Sequence, residues 1–326
     1  MWIVSLLARC WRTIWTFFFQ TNEMKSIVKQ PPIRPMPAWT KQIAADVLET
    51  ASKQQQQQQP ERYERGRLLG TGKFSKVYQV TDQTTRRQYA MKITLASNAS
   101  ELVKQHLRTE IELLRTLGGK HPHICSLHDN FEESGSGNMH VVMELAEGDE
   151  LLEHVNRNRG LSEKQARLYT RQLVSALRFV HQNGWVHRDV KLDNVIVVHK
   201  RSSIFLVDWG FAHRWTAGKR LTDSIGTLNY AAPELITRIG YEGPEVDVWS
   251  LGVLVYCILA GWLPFEGKTD QDTQINIRTG TAHAFPHDRF SEQAVQFIQA
   301  CLRLNGASRA SMDMLSKHSW LATNDD

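Results

Sequence analysis

Four cysteines in 326 residues, Cys10, Cys125, Cys257 and Cys301, are too few and too scattered for a disulfide framework, and none lies at metal-ligand spacing from another. No zinc site is therefore expected, and a reducing compartment, cytoplasmic or nuclear, suits the chain. The composition excludes an unbroken multi-span membrane protein. The aromatic-rich stretch 1–20 carries Arg9 and Arg12 near its middle, and burying each in a bilayer would cost roughly 2.5 to 3.5 kcal/mol. That stretch also lacks the charged start and small-residue cleavage site of a secretory leader. Repeats are absent. So is a surplus of one charge in the body of the chain. Lys and Arg number 39 against 34 Asp and Glu, but residues 1–60 hold seven bases against three acids, which leaves 32 against 31 beyond them. A nearly neutral body lacks the concentrated basic face of a nucleic-acid binder, so no nucleic-acid partner is expected. What remains, 41% hydrophobic and 22% charged, is a globular composition with enough chain for a two-lobed enzyme.

Within residues 1–20, Ile3, Leu6, Leu7, Cys10, Ile14 and Phe18 recur at helical spacing with polar residues opposite. This predicts an amphipathic segment that lies on a membrane surface, packs on the body, or is an upstream extension with translation starting at Met24. Residues 21–62 read as a Pro/Gln-rich linker: Pro31, Pro32, Pro35 and Pro37 favour a polyproline II stretch, a stiff spacer or an SH3-like ligand, and the glutamines 54–59 cannot bury apolar surface. Order is expected from Tyr63.

Short apolar or alternating runs over 67–69, 76–81 and 88–94, broken by turn residues, predict antiparallel strands. Between the first two lies Gly70-Thr71-Gly72-Lys73-Phe74-Ser75-Lys76-Val77. Glycines there let backbone N–H groups approach phosphate oxygens, although paired glycines in a hairpin are also ordinary turns. It is not a Walker loop, since no Gly-Lys-Ser/Thr ends it. Alternation puts Ala90 and Lys92 on one strand face, where a buried lysine needs an anion. A helix over 101–117 offers Glu110, beside Ile111 and Leu114 on the apolar stripe, as that carboxylate. Further on, His187-Arg188-Asp189-Val190-Lys191-Leu192-Asp193-Asn194 precedes the apolar run 195–198, and a second run, 204–207, ends in Asp208-Trp209-Gly210. A hairpin presenting Asp189, Asn194 and Asp208 at its ends groups hard oxygen donors suited to Mg²⁺.

From residue 63 to 321 these motifs, in this order, resemble the eukaryotic protein kinases of the serine/threonine type. The resemblance implies an α+β, bilobal protein kinase fold: an antiparallel β-sheet N-lobe with one helix (63–144), a mainly α-helical C-lobe (148–321) and a short tail. It implies ATP and Mg²⁺ as cofactors and protein substrates with Ser/Thr acceptors. By that resemblance Lys92, oriented by Glu110, holds the α- and β-phosphates; Asn194 and Asp208 bind the metal; Asp189 accepts the acceptor hydroxyl's proton; and Lys191 steadies the transferring group. Leu69, Val77 and Ala90 would sandwich adenine, with Met143 as gatekeeper and the backbone of Glu144 and Ala146 meeting its edge. Ala232-Pro233-Glu234 closes the activation segment, Arg309 is the expected partner of Glu234, and Asp247 matches the family's buried helix aspartate. Tyr241 to Val253 and Gly261-Trp262-Leu263-Pro264-Phe265 are similar to the AMP-activated-kinase-like branch of the calcium/calmodulin-dependent group.

Several positions carry finer expectations. Ser75 replaces the third loop glycine, and Trp209 stands where the family has Phe, a larger ring able to bias the active arrangement. Asp223 stands where related kinases place a phosphorylatable Thr, flanked by Thr222 and Ser224. It is expected to supply part of the charge that Arg188 would take from a phosphate, unless Thr222 or Ser224 is itself the modified site. Lys191 and Thr227 fit the serine/threonine pattern. Glu150 and Asp193 are expected to meet a basic residue upstream of the acceptor, and Glu150 a ribose hydroxyl as well. With Lys92, Asp189 and Asp208 all intact, a nucleotide-binding scaffold without activity is the alternative.

Overall fold

The computed structural model describes residues 61–72, 74–95, 100–286 and 290–322. The expected amphipathic segment 1–20, the linker up to residue 60, with the membrane and SH3-like contacts expected of residues 1–37, Lys73 and residues 323–326 lie outside the described residues.

The alternating runs form a five-stranded antiparallel sheet in the order β1-β2-β3-β5-β4, built from β1 (Tyr63–Thr71), β2 (Ser75–Asp82), β3 (Gln88–Thr94), β4 (Leu127–Glu132) and β5 (Met139–Glu144). Its register sets Val77 against Lys92 and Lys92 against Val141, with Ala90 opposite Met143. One face is sealed by α1 (Glu101–Leu117), capped by the Ser100 hydroxyl, which accepts from the Val103 N–H. Leu107, Ile111, Leu113, Leu114 and Leu117 are buried with Glu110, as the helical spacing predicts. The other face carries a separate cluster of Tyr63, Val80, Met91, Ile93, Phe131 and Val142.

The rest is mainly helical: α2 (Leu151–Asn158), α3 (Glu163–Gln182), α4 (Pro233–Thr237), α5 (Pro244–Ala260), α6 (Asp270–Thr279), α7 (Glu292–Cys301), α8 (Met312–Leu315) and α9 (Ser319–Ala322). No described helix is long and apolar enough to cross a membrane. Helix α5 is apolar on every side, and all its residues from Val246 onward are buried, so it is the axis around which the others pack. Gly252 lets α7 approach: a Cβ there would fall 2.6 Å from Cys301 Cβ. Short strands that no periodicity announces are β6 (Asp149–Glu150), β7 (Trp185–Val186) and β10 (His213–Arg214); β6 joins the expected hairpin β8 (Val195–Val198) and β9 (Ser203–Leu206), in which Val195 pairs with Leu206, and β7 pairs with β10 in a sheet of their own.

Candidate active site

The hairpin Gly70 to Val77 is a continuation of β1 and β2. Gly70 pairs with Val77 and Thr71 with Lys76, and the Gly72 N–H closes the turn on the Ser75 carbonyl at 2.8 Å. Leu69 and Val77 are partly buried, Phe74 is exposed, and Ala90 is buried. A Cβ on Gly70 would meet nothing within 4 Å, so the strand borders open space there.

On β3, Lys92 Nζ lies 2.8 and 3.0 Å from the two Glu110 carboxylate oxygens and 2.8 Å from Asp208 Oδ1. Burial works against the ammonium, but the carboxylates of Asp208 and Glu110 outweigh it and hold its pKa above the lysine range. The Lys92 charge in turn pulls Asp208 down to about 2. Burial pushes Glu110 up, and Lys92 together with the Trp209 backbone N–H pulls it back. One cation thus ties sheet, helix and the Asp208 turn, where Asp208 adopts φ +59°.

Asp189 is fixed by four donors. Its Oδ1 takes the Thr227 N–H at 3.0 Å and the Thr227 hydroxyl at 2.8 Å; its Oδ2 takes Lys191 Nζ at 2.9 Å and Asn194 Nδ2 at 3.1 Å. Lys191 also reaches Thr227 Oγ1 at 2.9 Å. The activation segment comes this close because of Gly226 at φ +109°, where a Cβ would fall 2.8 Å from the Arg188 carbonyl oxygen. Lys191 and His187 add smaller contributions to the lowering of Asp208, so the two charged sets act on each other.

The loop carrying Asp189 hangs from α5. Asp247, fully buried, accepts the His187 N–H at 2.9 Å, the Arg188 N–H at 2.8 Å and a hydrogen bond from His181 at 2.8 Å. Burial opposes its charge, but His181 and the other donors hold its carboxyl below the usual range. Trp209 is buried against the His187 ring, centroids 4.6 Å apart, so the larger ring is accommodated with Asp208 facing Lys92. Near the cleft edge, the Ser126 N–H and hydroxyl donate to Glu144 Oε2, and the Glu144 N–H donates to the Ser126 carbonyl. That anchors the strand end between Met143 and Ala146. Glu150 is half-buried at the start of α2; burial, then the Asp193 carboxylate, pushes its pKa up.

Arg188, 4% exposed, sends Nη1 to Asp223 Oδ2 at 3.4 Å and to the Tyr241 hydroxyl at 3.2 Å, while that hydroxyl donates to the Asp223 carbonyl. Of the flanking residues, Thr222 is exposed and Ser224 donates to the Leu235 carbonyl at 2.6 Å. Glu234 and Arg309 form the expected buried pair. Sequence reasoning missed Tyr241 as the bridge between Arg188 and Asp223, because no local pattern links positions 53 residues apart. It also missed His181 as a ligand of Asp247.

The chain matches the protein kinase domain family over residues 63–321. It is 34% identical over 260 residues to human NUAK family SNF1-like kinase 2, covering 80% of this chain and 40% of that protein. It is 35% identical over 265 residues to calcium-dependent protein kinase 20 of Oryza sativa subsp. japonica, covering 80% and 47%. A third relative, "Probable serine/threonine-protein kinase MARK-C" of Dictyostelium discoideum, is 34% identical over 261 residues, covering 79% and 33%. The chain thus spans between a third and a half of the length of these relatives. Its fold, its motif order and these likenesses agree: the chain belongs to the protein kinase domain family, on the branch that holds the AMP-activated and calcium-dependent kinases.

Proposed function

We propose that the chain is an active serine/threonine protein kinase that uses MgATP and favours acceptors preceded by basic residues. The observation that carries this is the bridging of Lys92 to both Glu110 and Asp208 within 3.0 Å, facing an Asp189 held by Lys191, Asn194 and Thr227. Phosphoryl transfer needs little covalent help; positioning and charge neutralisation supply most of the rate.

The residues fit the nucleotide. Lys92 is a cation able to exchange Asp208 for phosphate oxygens, and Gly70, in register with Lys92 across Val77, leaves open space where a Cβ would lie. Asp208 and Asn194 form the donor set of one carboxylate and one amide that Mg²⁺ takes when substrate phosphates complete its shell. Asn194 directs its amide nitrogen at Asp189, so its oxygen is the atom left for a cation. MgATP supplies the phosphoryl group; Asp189 takes the acceptor hydroxyl's proton, and Lys191 and Thr227 keep that carboxylate pointed. A scaffold without activity would be expected to have lost one of Lys92, Asp189 or Asp208, and all three are engaged. Glu150 and Asp193 place mutually repelling carboxylates beside α2, a surface that an arginine side chain would neutralise.

Purified chain incubated with γ-labelled MgATP and a positional library of Ser/Thr peptides is expected to label peptides with Arg or Lys upstream of the acceptor. Absence of any label would sink the activity. Labelling without basic selection would remove only the substrate preference.

Regulation follows from Arg188. We infer that Asp223 supplies part of the negative charge this arginine requires, so that some activity precedes any modification. One carboxylate carries less charge than a phosphate's −1.5 to −2, and Asp223 is well exposed, so the pair is worth at most about 1 kcal/mol. Asp223→Ala in unphosphorylated protein is therefore expected to lower kcat up to about five-fold, with Asp223→Glu retaining most of it. Equal initial rates for parent and Asp223→Ala would retire the idea.

A further inference from the structure

Residues 208–214 run beside α1. The Trp209 backbone N–H is among the groups that lower the Glu110 pKa. The Phe211 ring meets the His106 ring edge-on, centroids 5.3 Å apart. Arg214 donates from Nη2 at 3.0 Å and from Nε at 3.3 Å to Glu112 Oε1. Of these side chains Trp209 is the most buried, but Arg214, half exposed, is braced as well. Its guanidinium carbon sits 4.1 Å from the centroid of the Trp185 ring, and Trp185 is completely buried. Arg214 and Trp185 are also cross-strand partners in the β10–β7 pair. Trp185 stands two residues before His187, at the entry to the loop that carries Asp189, and Glu112 stands two residues after Glu110.

We propose that Arg214 is a positioning residue for phosphoryl transfer: it holds α1 at the rotation from which Glu110 reaches Lys92, and it ties that rotation to the strand leading into the Asp189 loop. The proposal rests on the kinase activity argued above. Its physical ground is a division of labour on α1. The apolar stripe of Leu107, Ile111, Leu114 and Leu117 fixes how deeply the helix sits, but apolar burial is non-directional and resists a small rolling or sliding motion weakly. Directional contacts must set the angle. Glu110 cannot do this alone, since its carboxylate is the group being positioned. An exposed ion pair is ordinarily worth little because two long side chains must be ordered to form it. Here the guanidinium is already ordered on an immobile indole face, where stacking and cation–π attraction hold it, and only Glu112 has to be recruited.

The test is a charge exchange read in steady-state kinetics with MgATP and a peptide acceptor. Arg214→Glu and Glu112→Arg each place like charges together, and each is expected to lower kcat/KM for ATP about three- to five-fold, with the peptide KM little changed. The double variant Arg214→Glu with Glu112→Arg is expected to recover part of that loss, because it restores the charge pair but no longer places a guanidinium on the Trp185 ring, and the recovery is read in kcat/KM at unchanged melting temperature, which a purely structural role would not show. Raising the salt concentration is expected to bring the parent towards Arg214→Ala, because the pair is accessible to ions. Thermal denaturation of each variant separates a kinetic loss from unfolding, and Arg214→Lys, which keeps the charge without the fork, should fall between parent and Arg214→Ala. Single reversals as active as an active parent, or a double variant no better than its worse single, overturn the proposal while leaving the kinase activity standing. A parent that transfers no phosphate overturns both.

Discussion

Asp189→Asn is expected to lower phosphoryl transfer to a peptide by about 10²- to 10⁴-fold, the range that a positioned general base contributes, while MgATP still raises the melting temperature. The substitution is nearly isosteric. Asn keeps an oxygen for the Thr227 N–H and hydroxyl, but its amide nitrogen would face Lys191 Nζ and Asn194 Nδ2, both donors that now bond Asp189 Oδ2. The variant therefore loses the proton acceptor and gains a donor-on-donor clash, without disturbing the Asp247 contacts from which the loop hangs. Rates should fall in kcat, not in the KM for ATP, since no nucleotide-facing group is altered. Activity within ten-fold of the parent would show that Asp189 is not the base.

Arg309→Ala is expected to cost about 3 to 5 kcal/mol of stability, the usual penalty for stranding one partner of a buried ion pair. For a domain of this size that corresponds to a melting temperature lower by about 5 to 10 °C. Both partners are 7% exposed. Arg309 binds Glu234 through both terminal nitrogens, the Nη2 contact being 2.7 Å. It also reaches the Glu245, Arg303 and Leu304 carbonyls and lies over the Trp249 ring. Removing it leaves a carboxylate and three carbonyls without their donor. Glu234→Gln combined with Arg309→Met should cost less than the two single changes added together, because no charge stays buried alone. Differential scanning calorimetry of Arg309→Ala, the two single changes and the double decides it; a loss near 1 kcal/mol for Arg309→Ala would mean that water replaces the guanidinium freely.

What was legible in the sequence follows from how far apart the interacting residues lie. The β1–β2 turn, the β8–β9 hairpin and the helix with Glu110 are each announced by spacing within a dozen residues, and the structure places α1 over Glu101–Leu117, as the apolar stripe predicts. The two-residue strands β6, β7 and β10 are too short to show any period. Contacts between distant positions were visible where a buried charge demands a partner, as for Lys92 with Glu110, or where a family pattern names both, as for Glu234 with Arg309. Arg214 with Glu112, Tyr241 with Arg188 and Asp223, and Ser224 with the Leu235 carbonyl have no such pattern. Each side chain there is a common surface type, and only the fold decides what it meets.

The suspension of the Asp189 loop from Asp247 means that the two halves of the site answer to different bodies. Lys92 travels with the sheet, whereas Asp189, Lys191, Asn194 and Thr227 travel with the central helix of the other lobe. A hinge motion of the sheet would therefore change the grip on the phosphates while leaving the acceptor's receptor undistorted, like a vice with one fixed jaw. Thermal loosening should accordingly degrade nucleotide alignment before it degrades recognition of the polypeptide to be modified.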